Sequence, residues 1–165
     1  MTPLPAALGG GPLTGWRIDT AGHAATWDSG EGAFLYAGRW HDRGCRAVYA
    51  SLDPATAMLE VAVHKGFDTL DRVPHVLTAF TIDDPARVTV HQPAAIPNPG
   101  WLTSATASRG QRDWGMVQLR AHGFVVLPSA VSRRSWNILF LAGQGLHRRT
   151  SQEPLAPDTR LNPPA

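Results

Sequence analysis

Cysteine, lysine and glutamate are all scarce in this chain of 165 residues, and each scarcity excludes something. The single cysteine, Cys45, excludes a disulfide-stapled scaffold and any zinc site with several cysteine ligands. Lys65 is the only lysine, and a formal net charge of +2 is too weak a field to indicate nucleic-acid binding by itself. Glutamate occurs three times, as Glu31, Glu60 and Glu153, so each position can be weighed individually.

Long apolar runs are absent as well. No stretch approaches the roughly 18–20 apolar residues that are needed to cross a bilayer. The first residues lack the basic segment and the unbroken apolar run of a signal peptide. We therefore expect a cytoplasmic protein that makes no contact with a membrane.

Glycine and proline are plentiful, with 16 and 14 residues, which indicates many turns and short elements. The length suits a single domain. Residues 1–15 are rich in glycine and proline, and residues 147–165 carry few large apolar side chains. Because neither end can bury enough surface to offset its ordering entropy, we predict flexible segments over 1–15 and 147–165 around one folded domain over 16–146.

Short strands outnumber helices in the pattern of apolar residues. Asp53 followed by Pro54 predicts the start of a helix and Gly66 its end, and a second helix is predicted over 109–122. A hairpin is predicted around a turn at 42–44, with its return strand ending near 49–51. Further strands are predicted over 16–19, 76–83, 87–92, 124–127 and 137–141. This irregular order predicts an α+β fold with a mixed or antiparallel sheet and a few packed helices.

The predicted helix after Asp53 carries an unusual polar ridge. Thr56, Glu60 and His64 recur at every fourth position on an otherwise apolar helix, so they share one face. Such a ridge is most often a solvated face. The alternative is that it faces a cleft, and the rarity of glutamate, with no long charged neighbour beside Glu60, makes Glu60 a candidate functional carboxylate.

The predicted hairpin places an arginine and a tyrosine on one face. Arg39 and Tyr49 are separated by an even number of positions across a turn near Gly44, so paired strands would bring them almost opposite each other. Arginine offers a planar fork for phosphate, and tyrosine offers a stacking face. With Glu60 available for ribose hydroxyls, the set would suit a nucleotide, although each residue alone is commonly structural.

Other combinations are weaker. Glu60 and His64 lack a third metal ligand at a fixed spacing, so we expect no metal site. Cys45 adjoins a turn rather than a helix start that would activate its thiol. Ser129 follows a predicted strand, where a serine is usually a turn residue but where sites also collect. The arginines are scattered without an aromatic stacking motif, which disfavours nucleic-acid binding.

The sequence resembles the RES-domain family, which is named for an arginine, a glutamate and a serine. The resemblance covers about residues 16–141 and is carried by GRW (38–40), Gly44, VYAS (48–51), DPATAMLEVAVH (53–64), LPSAV (127–131) and Asn137. By position Arg39, Glu60 and Ser129 are the naming residues, and Tyr49 and His64 are usual companions. Arg17 matches an arginine of the family's early strand more loosely.

The resemblance implies a single-domain fold similar to ADP-ribosyltransferases and a toxin that consumes NAD as its substrate, without a separate cofactor. It implies that Arg39 anchors the nucleotide, Tyr49 stacks beside nicotinamide and Ser129 fixes that end of the ligand. Glu60 would hold the ribose and stabilise an oxocarbenium-like transition state, with His64 orienting it or touching the ligand. Arg17 and Asn137 are further candidate substrate-binding positions.

The resemblance also implies a partner. Members of the family are neutralised by an antitoxin with a helix-turn-helix DNA-binding part, whose C-terminal segment blocks the active-site entrance. We therefore expect a hetero-oligomer with an antitoxin, and contact with DNA only through that partner.

Several alternatives stay open from the sequence. The acceptor could be water, phosphate or a protein that becomes ADP-ribosylated, and a non-catalytic nucleotide-binding or partner-binding module is a different class of function. Two departures from the family bear on the pocket: His41 stands where an asparagine is common, and ILFLAGQG follows Asn137 in place of an Asn-Pro ending.

Overall fold

The computed structural model describes residues 12–102, 107–132 and 134–156. Within these ranges the strands are β1 (Leu13–Thr20), β2 (Ala47–Ser51), β3 (His75–Ile82), β4 (Val88–Val90), β5 (Phe124–Pro128), β6 (Trp136–Leu141) and β7 (Arg148–Pro154). These seven strands form one sheet in the order β4-β5-β6-β2-β1-β3-β7. Among them β4 and β5 pair in parallel, and the other neighbours are antiparallel. The predicted mixed or antiparallel sheet is confirmed, in its mixed form.

Four α-helices accompany the sheet in the described ranges: α1 (Glu31–Leu35), α2 (Pro54–Lys65), α3 (Phe67–Arg72) and α4 (Arg109–Ala121). The predicted start of α2 is confirmed, because the Asp53 carboxylate accepts a hydrogen bond from the Thr56 amide at 2.7 Å. Gly66 ends the helix with a φ of 91°, a value that favours glycine. Short 3₁₀ helices lie at Ala21–Thr26, Pro85–Arg87 and Pro93–Ala95. No described helix is long and apolar enough to span a bilayer.

Both faces of the sheet are buried at its centre. Alternate residues of β5 divide between two clusters, with Phe124 and Val126 in one and Val125 and Leu127 in the other. The second cluster includes Leu119 of α4, so α4 covers that face. A third cluster packs α2 and α3 against β1. The site described below lies where α2 meets β1 and β2.

The predicted hairpin between Arg39 and Tyr49 is wrong. Residues 31–35 form α1, and the chain then runs as a loop to β2. The two edges of β2 are already occupied, by β1 on one side and β6 on the other, so no strand carrying Arg39 can pair with it. Arg39 and Tyr49 nevertheless line one cavity, because the loop passes beside Tyr49, whose hydroxyl accepts from the Trp40 amide.

The predicted flexible tail over 147–165 is also wrong in its first part. Arg148–Pro154 form the edge strand β7, which pairs with β3 through main-chain hydrogen bonds. An edge strand needs no apolar side chains when both of its faces are solvated, which is why composition failed to reveal it. At the other end β1 already begins at Leu13, within the predicted flexible segment 1–15. Residues 1–11 and 157–165 lie outside the described residues.

Gly115 of α4 lies against the loop that carries Arg39. A Cβ at Gly115 would come within 2.3 Å of the Trp40 carbonyl oxygen, whereas a Cβ at Gly110 of the same helix would meet nothing within 4 Å. We expect Gly115→Ala to lower the free energy of unfolding by about 1–3 kcal/mol through this clash. Gly110→Ala should leave that free energy unchanged or raise it by up to about 1 kcal/mol. Urea unfolding of both variants checks this, and equal stabilities would contradict the close packing.

Candidate active site

A cleft with two lobes opens between the sheet, α2 and the loop after α1. The first lobe has a volume of about 250 Å³ and the second about 610 Å³. Each therefore lies near or within the range usual for small-molecule pockets. Four residues line both lobes: Tyr49, Glu60, His64 and Asn137.

Glu60 stands at this junction and is held by three side chains. Its Oε1 accepts a hydrogen bond from Ser129 Oγ at 2.9 Å and a short one from the Asn137 amide. Its Oε2 lies 3.5 Å from Nε2 of His64, one turn further along α2. The structure thus brings together four of the predicted site residues, from α2, the end of β5 and β6.

The partners of Glu60 keep it charged. Burial by itself raises the pKa of the Glu60 carboxyl, but the hydrogen bonds from His64, Asn137 and Ser129 outweigh burial, and the pKa lies below its ordinary value. The hydrogen bond to Glu60 in turn raises the pKa of His64, against the opposing effect of burial. At neutral pH the junction of the two lobes therefore presents a fixed carboxylate.

The donors to Glu60 are themselves oriented by further hydrogen bonds. Ser129 is fully buried, and its Oγ accepts from the amides of Val131 and Ser132, both at 3.2 Å, so its own proton is directed to Glu60. The Asn137 amide is fixed by Ser51, whose Oγ donates to Asn137 Oδ1 at 2.9 Å. Ser129 is not among the residues that line either lobe, so its contact is with Glu60 rather than with the cavity.

The three residues of the polar ridge on α2 lie in different surroundings. Thr56 is buried, and its hydroxyl donates to Asp53 at 2.6 Å. Glu60 faces the cleft, and the His64 side chain is 70% exposed at its rim. The solvent-facing alternative for Glu60 is therefore wrong.

The two candidate arginines lie in different lobes. Arg39 lines the second lobe, and its Nη1 donates to the Trp101 carbonyl at 2.6 Å. Arg17 lines the first lobe, where its Nε and Nη2 bind both oxygens of Asp19, at 2.9 and 2.6 Å. Because Asp19 neutralises Arg17, the pair adds little net charge to the first lobe.

Tyr49 lines both lobes, and its hydroxyl is engaged by residues of the loop after α1. The hydroxyl lies 2.6 Å from His41 Nδ1 and accepts from the Trp40 amide at 3.3 Å. Burial raises the pKa of the Tyr49 phenol, so the residue is neutral. His41, the departure from the family pattern, thus contacts Tyr49 and does not line the cleft.

Two residues around the site, Asp19 and Ser51, were not predicted, and neither was the contact of His41 with Tyr49. Ser51 closes the VYAS segment, and its position in that motif was the one available signal. In the described ranges, no group of three or more His, Cys, Asp or Glu side chains is arranged to hold a metal ion.

The hydrogen bond from Asn137 predicts a change in the titration of Glu60. In Asn137→Ala the carboxylate loses a donor, so the pKa of Glu60 should rise toward its ordinary value. A lowered folded-state pKa stabilises the fold above the unfolded-state pKa, and that stability is lost as pH falls through the folded-state pKa. Asn137→Ala should therefore lose part of the stability that the Glu60 carboxylate contributes at neutral pH.

The titration can be followed by ¹³C NMR of the side-chain carboxyls, because the chain contains only three glutamates. Asn98→Ala is the matched control, since Asn98 donates to Gln111 and lines neither lobe. Coincident Glu60 titration curves for the wild type and Asn137→Ala would show that this hydrogen bond does not tune the carboxylate.

Comparison with known proteins gives a family match and two named relatives. The family model of the RES domain matches residues 14–161 of the sequence. A Pseudomonas putida protein named Toxin Res is 33% identical over 153 residues, which is 88% of this chain and 97% of the relative. A Photorhabdus laumondii Toxin Res is 44% identical over 55 residues, 33% of this chain and 35% of that relative.

A solved structure shares the fold. It is the Mycobacterium tuberculosis MbcT–MbcA toxin–antitoxin complex, with a TM-score of 0.68, 18% identity, and coverage of 87% of this chain and 84% of the matched one. The predicted α+β domain is thereby confirmed. The family match and the full-length relative together show that the chain belongs to the RES domain family.

Proposed function

We propose that this protein is a RES-family toxin that cleaves NAD at the bond between nicotinamide and ribose. The observation that carries the proposal is Glu60, a partly buried carboxylate kept charged by three donors at the junction of two lobes. The two lobes suit a ligand with two parts joined at a narrow point, which is the shape of a dinucleotide.

The chemistry requires a negative charge where positive charge develops. As the bond to nicotinamide breaks, the ribose becomes oxocarbenium-like, and a fixed carboxylate beside it stabilises that charge. Nicotinamide is already cationic in NAD, so its departure needs no strong acid. Tyr49, whose hydroxyl is occupied by His41 and Trp40, supplies its ring for stacking.

Recognition of the nucleotide falls to the second lobe. Arg39 lines this lobe and offers charge-assisted hydrogen bonds to the pyrophosphate. Arg112 also lines this lobe, where it is paired with Asp42 at 2.7 Å. Ser129 and Asn137 hold Glu60 in place, and His64 contacts it from the rim.

We further propose a cytoplasmic toxin neutralised by an antitoxin with a helix-turn-helix part, with DNA bound only through that partner. The solved relative is a toxin–antitoxin complex, which supports an antitoxin partner. Apolar side chains at the second lobe support a docking segment there: Val63 is 56% exposed, and Tyr36, next to the lobe-lining Ala37, is 75% exposed.

Purified protein incubated with NAD labelled in the adenylate half tests the reaction. We expect release of free nicotinamide. Label in free ADP-ribose would indicate hydrolysis, label in a phosphorylated ADP-ribose formed only with phosphate would indicate phosphorolysis, and label on protein would indicate transfer. NAD that is bound and remains intact would instead favour a non-catalytic module.

A further inference from the structure

His41 is almost completely buried beneath the site, and both nitrogens of its ring are engaged. Its Nε2 lies 3.1 Å from the carbonyl oxygens of Ala33 and Tyr36, and its Nδ1 lies 2.6 Å from the Tyr49 hydroxyl. Carbonyl oxygens only accept hydrogen bonds, so Nε2 carries the hydrogen. In the tautomer with its hydrogen on Nε2, the ring accepts at Nδ1 and the Tyr49 hydroxyl donates to it.

This arrangement fixes Tyr49. Its hydroxyl donates to His41 and accepts from the Trp40 amide, so the proton points away from the cleft. The hydroxyl is therefore unavailable for proton transfer to a ligand. What remains for the ligand is the ring of Tyr49, which lines both lobes.

The His41 imidazole also packs against the turn that carries Arg39. The turn itself is closed by a main-chain hydrogen bond from the Gly38 amide to the His41 carbonyl at 3.1 Å. Gly38 packs on the imidazole so closely that a Cβ there would lie 2.5 Å from His41 Cε1. Through Nε2 the ring also ties this turn to the end of α1.

We propose that His41 is a positioning residue, which sets the affinity for NAD by holding the Tyr49 ring and the Arg39 turn in one arrangement. Its side chain contacts Tyr49 and packs against Gly38 of the turn, and it lines neither lobe. The inference rests on the proposed function, because Tyr49 and Arg39 act on NAD there. It assigns Tyr49 to stacking and excludes it as a general acid or base.

Two variants of His41 separate its two contacts. Glutamine can place a donor near the position of Nε2 but has no acceptor at the position of Nδ1. Asparagine can place an acceptor near the position of Nδ1 but has no donor at the position of Nε2. We expect both His41→Gln and His41→Asn to raise the KM for NAD by about 2- to 10-fold, with kcat within about twofold of the wild type. His23→Asn, at an exposed histidine, is the control and should change neither constant.

A double-mutant cycle tests the hydrogen bond itself. Tyr49→Phe and His41→Gln remove the same bond, so the double variant should raise KM no more than the larger single effect. Additive effects would overturn the proposal, as would a wild-type KM in His41→Gln. A purely structural role would lower the melting temperature and leave the KM of the folded protein unchanged.

A measurement independent of NAD completes the test. In ¹⁵N-histidine spectra we expect His41 as the Nε2-protonated tautomer, with an Nδ1 shift that moves in Tyr49→Phe. The other tautomer would overturn the proposal. A wild-type protein that neither binds nor consumes NAD would refute the proposed function and the positioning role together. Turnover of NAD by the wild type, with an unchanged KM in His41→Gln, would refute the positioning role alone.

Discussion

Replacing Glu60 by glutamine should lower the rate of nicotinamide release by about 10²–10³-fold, the usual effect of removing one preorganised electrostatic contact to a transition state. Glutamine has nearly the same shape, and its oxygen can still accept from Ser129 and Asn137. The change therefore removes the charge and leaves the packing. Steady-state release of nicotinamide at saturating NAD measures the effect on kcat.

Glu153→Gln is the matched control for this substitution. Glu153 is exposed on β7 and lines neither lobe, so its variant should turn over NAD at the wild-type rate. A Glu60→Gln variant that is folded and as active as this control would remove Glu60 from the mechanism.

Replacing Arg39 by alanine should raise the KM for NAD by about 10- to 100-fold, because hydrogen bonds to charged groups each contribute about 1.5–3 kcal/mol. The effect should fall mainly on KM, since the pyrophosphate is equally charged in the substrate and in the transition state. Arg39→Lys should recover only part of the loss, because an ammonium group lacks the planar fork.

Arg109→Ala is the control for Arg39, because the Arg109 side chain is 88% exposed at the start of α4. Its KM should equal that of the wild type. If Arg39→Ala and Arg109→Ala behave alike, the pyrophosphate is not bound by Arg39.

The sequence predicted most elements whose signals are local. Asp53, Pro54 and Gly66 bound α2 in the structure as their chemistry indicates. The apolar run of β5 was equally clear, because every residue of that strand is buried. Such features depend on neighbours within a few residues, which a single sequence displays.

The errors lie where pairing is decided by distant parts of the chain. β2 pairs with β6, so Ser51 lies opposite Asn137, and nothing near Ser51 indicates that partner. The local signals favoured a hairpin of β2 with the residues before it, but in the structure β2 pairs with β1 and β6 instead. β7 was missed for a related reason, since its pairing with β3 uses main-chain groups that every residue carries.

The site was predictable in part for the same reasons. Glu60 could be found because glutamate is rare and this one interrupts an apolar helix. Ser51 and Asp19 could not be assigned, because each acts through another side chain. Ser51 orients Asn137 on the neighbouring strand, and Asp19 orients Arg17 on its own strand. His41 was noticed as a departure from the family, but its link to Tyr49 emerges only from the fold.

The role of Glu60 in NAD cleavage is tested most directly by ¹H NMR of NAD incubated side by side with the wild-type protein and with Glu60→Gln. We predict that free nicotinamide accumulates with the wild type, and that the rate of its release falls by at least about 10²-fold with Glu60→Gln. NAD left intact by folded wild-type protein, or nicotinamide released equally by both, would contradict this prediction.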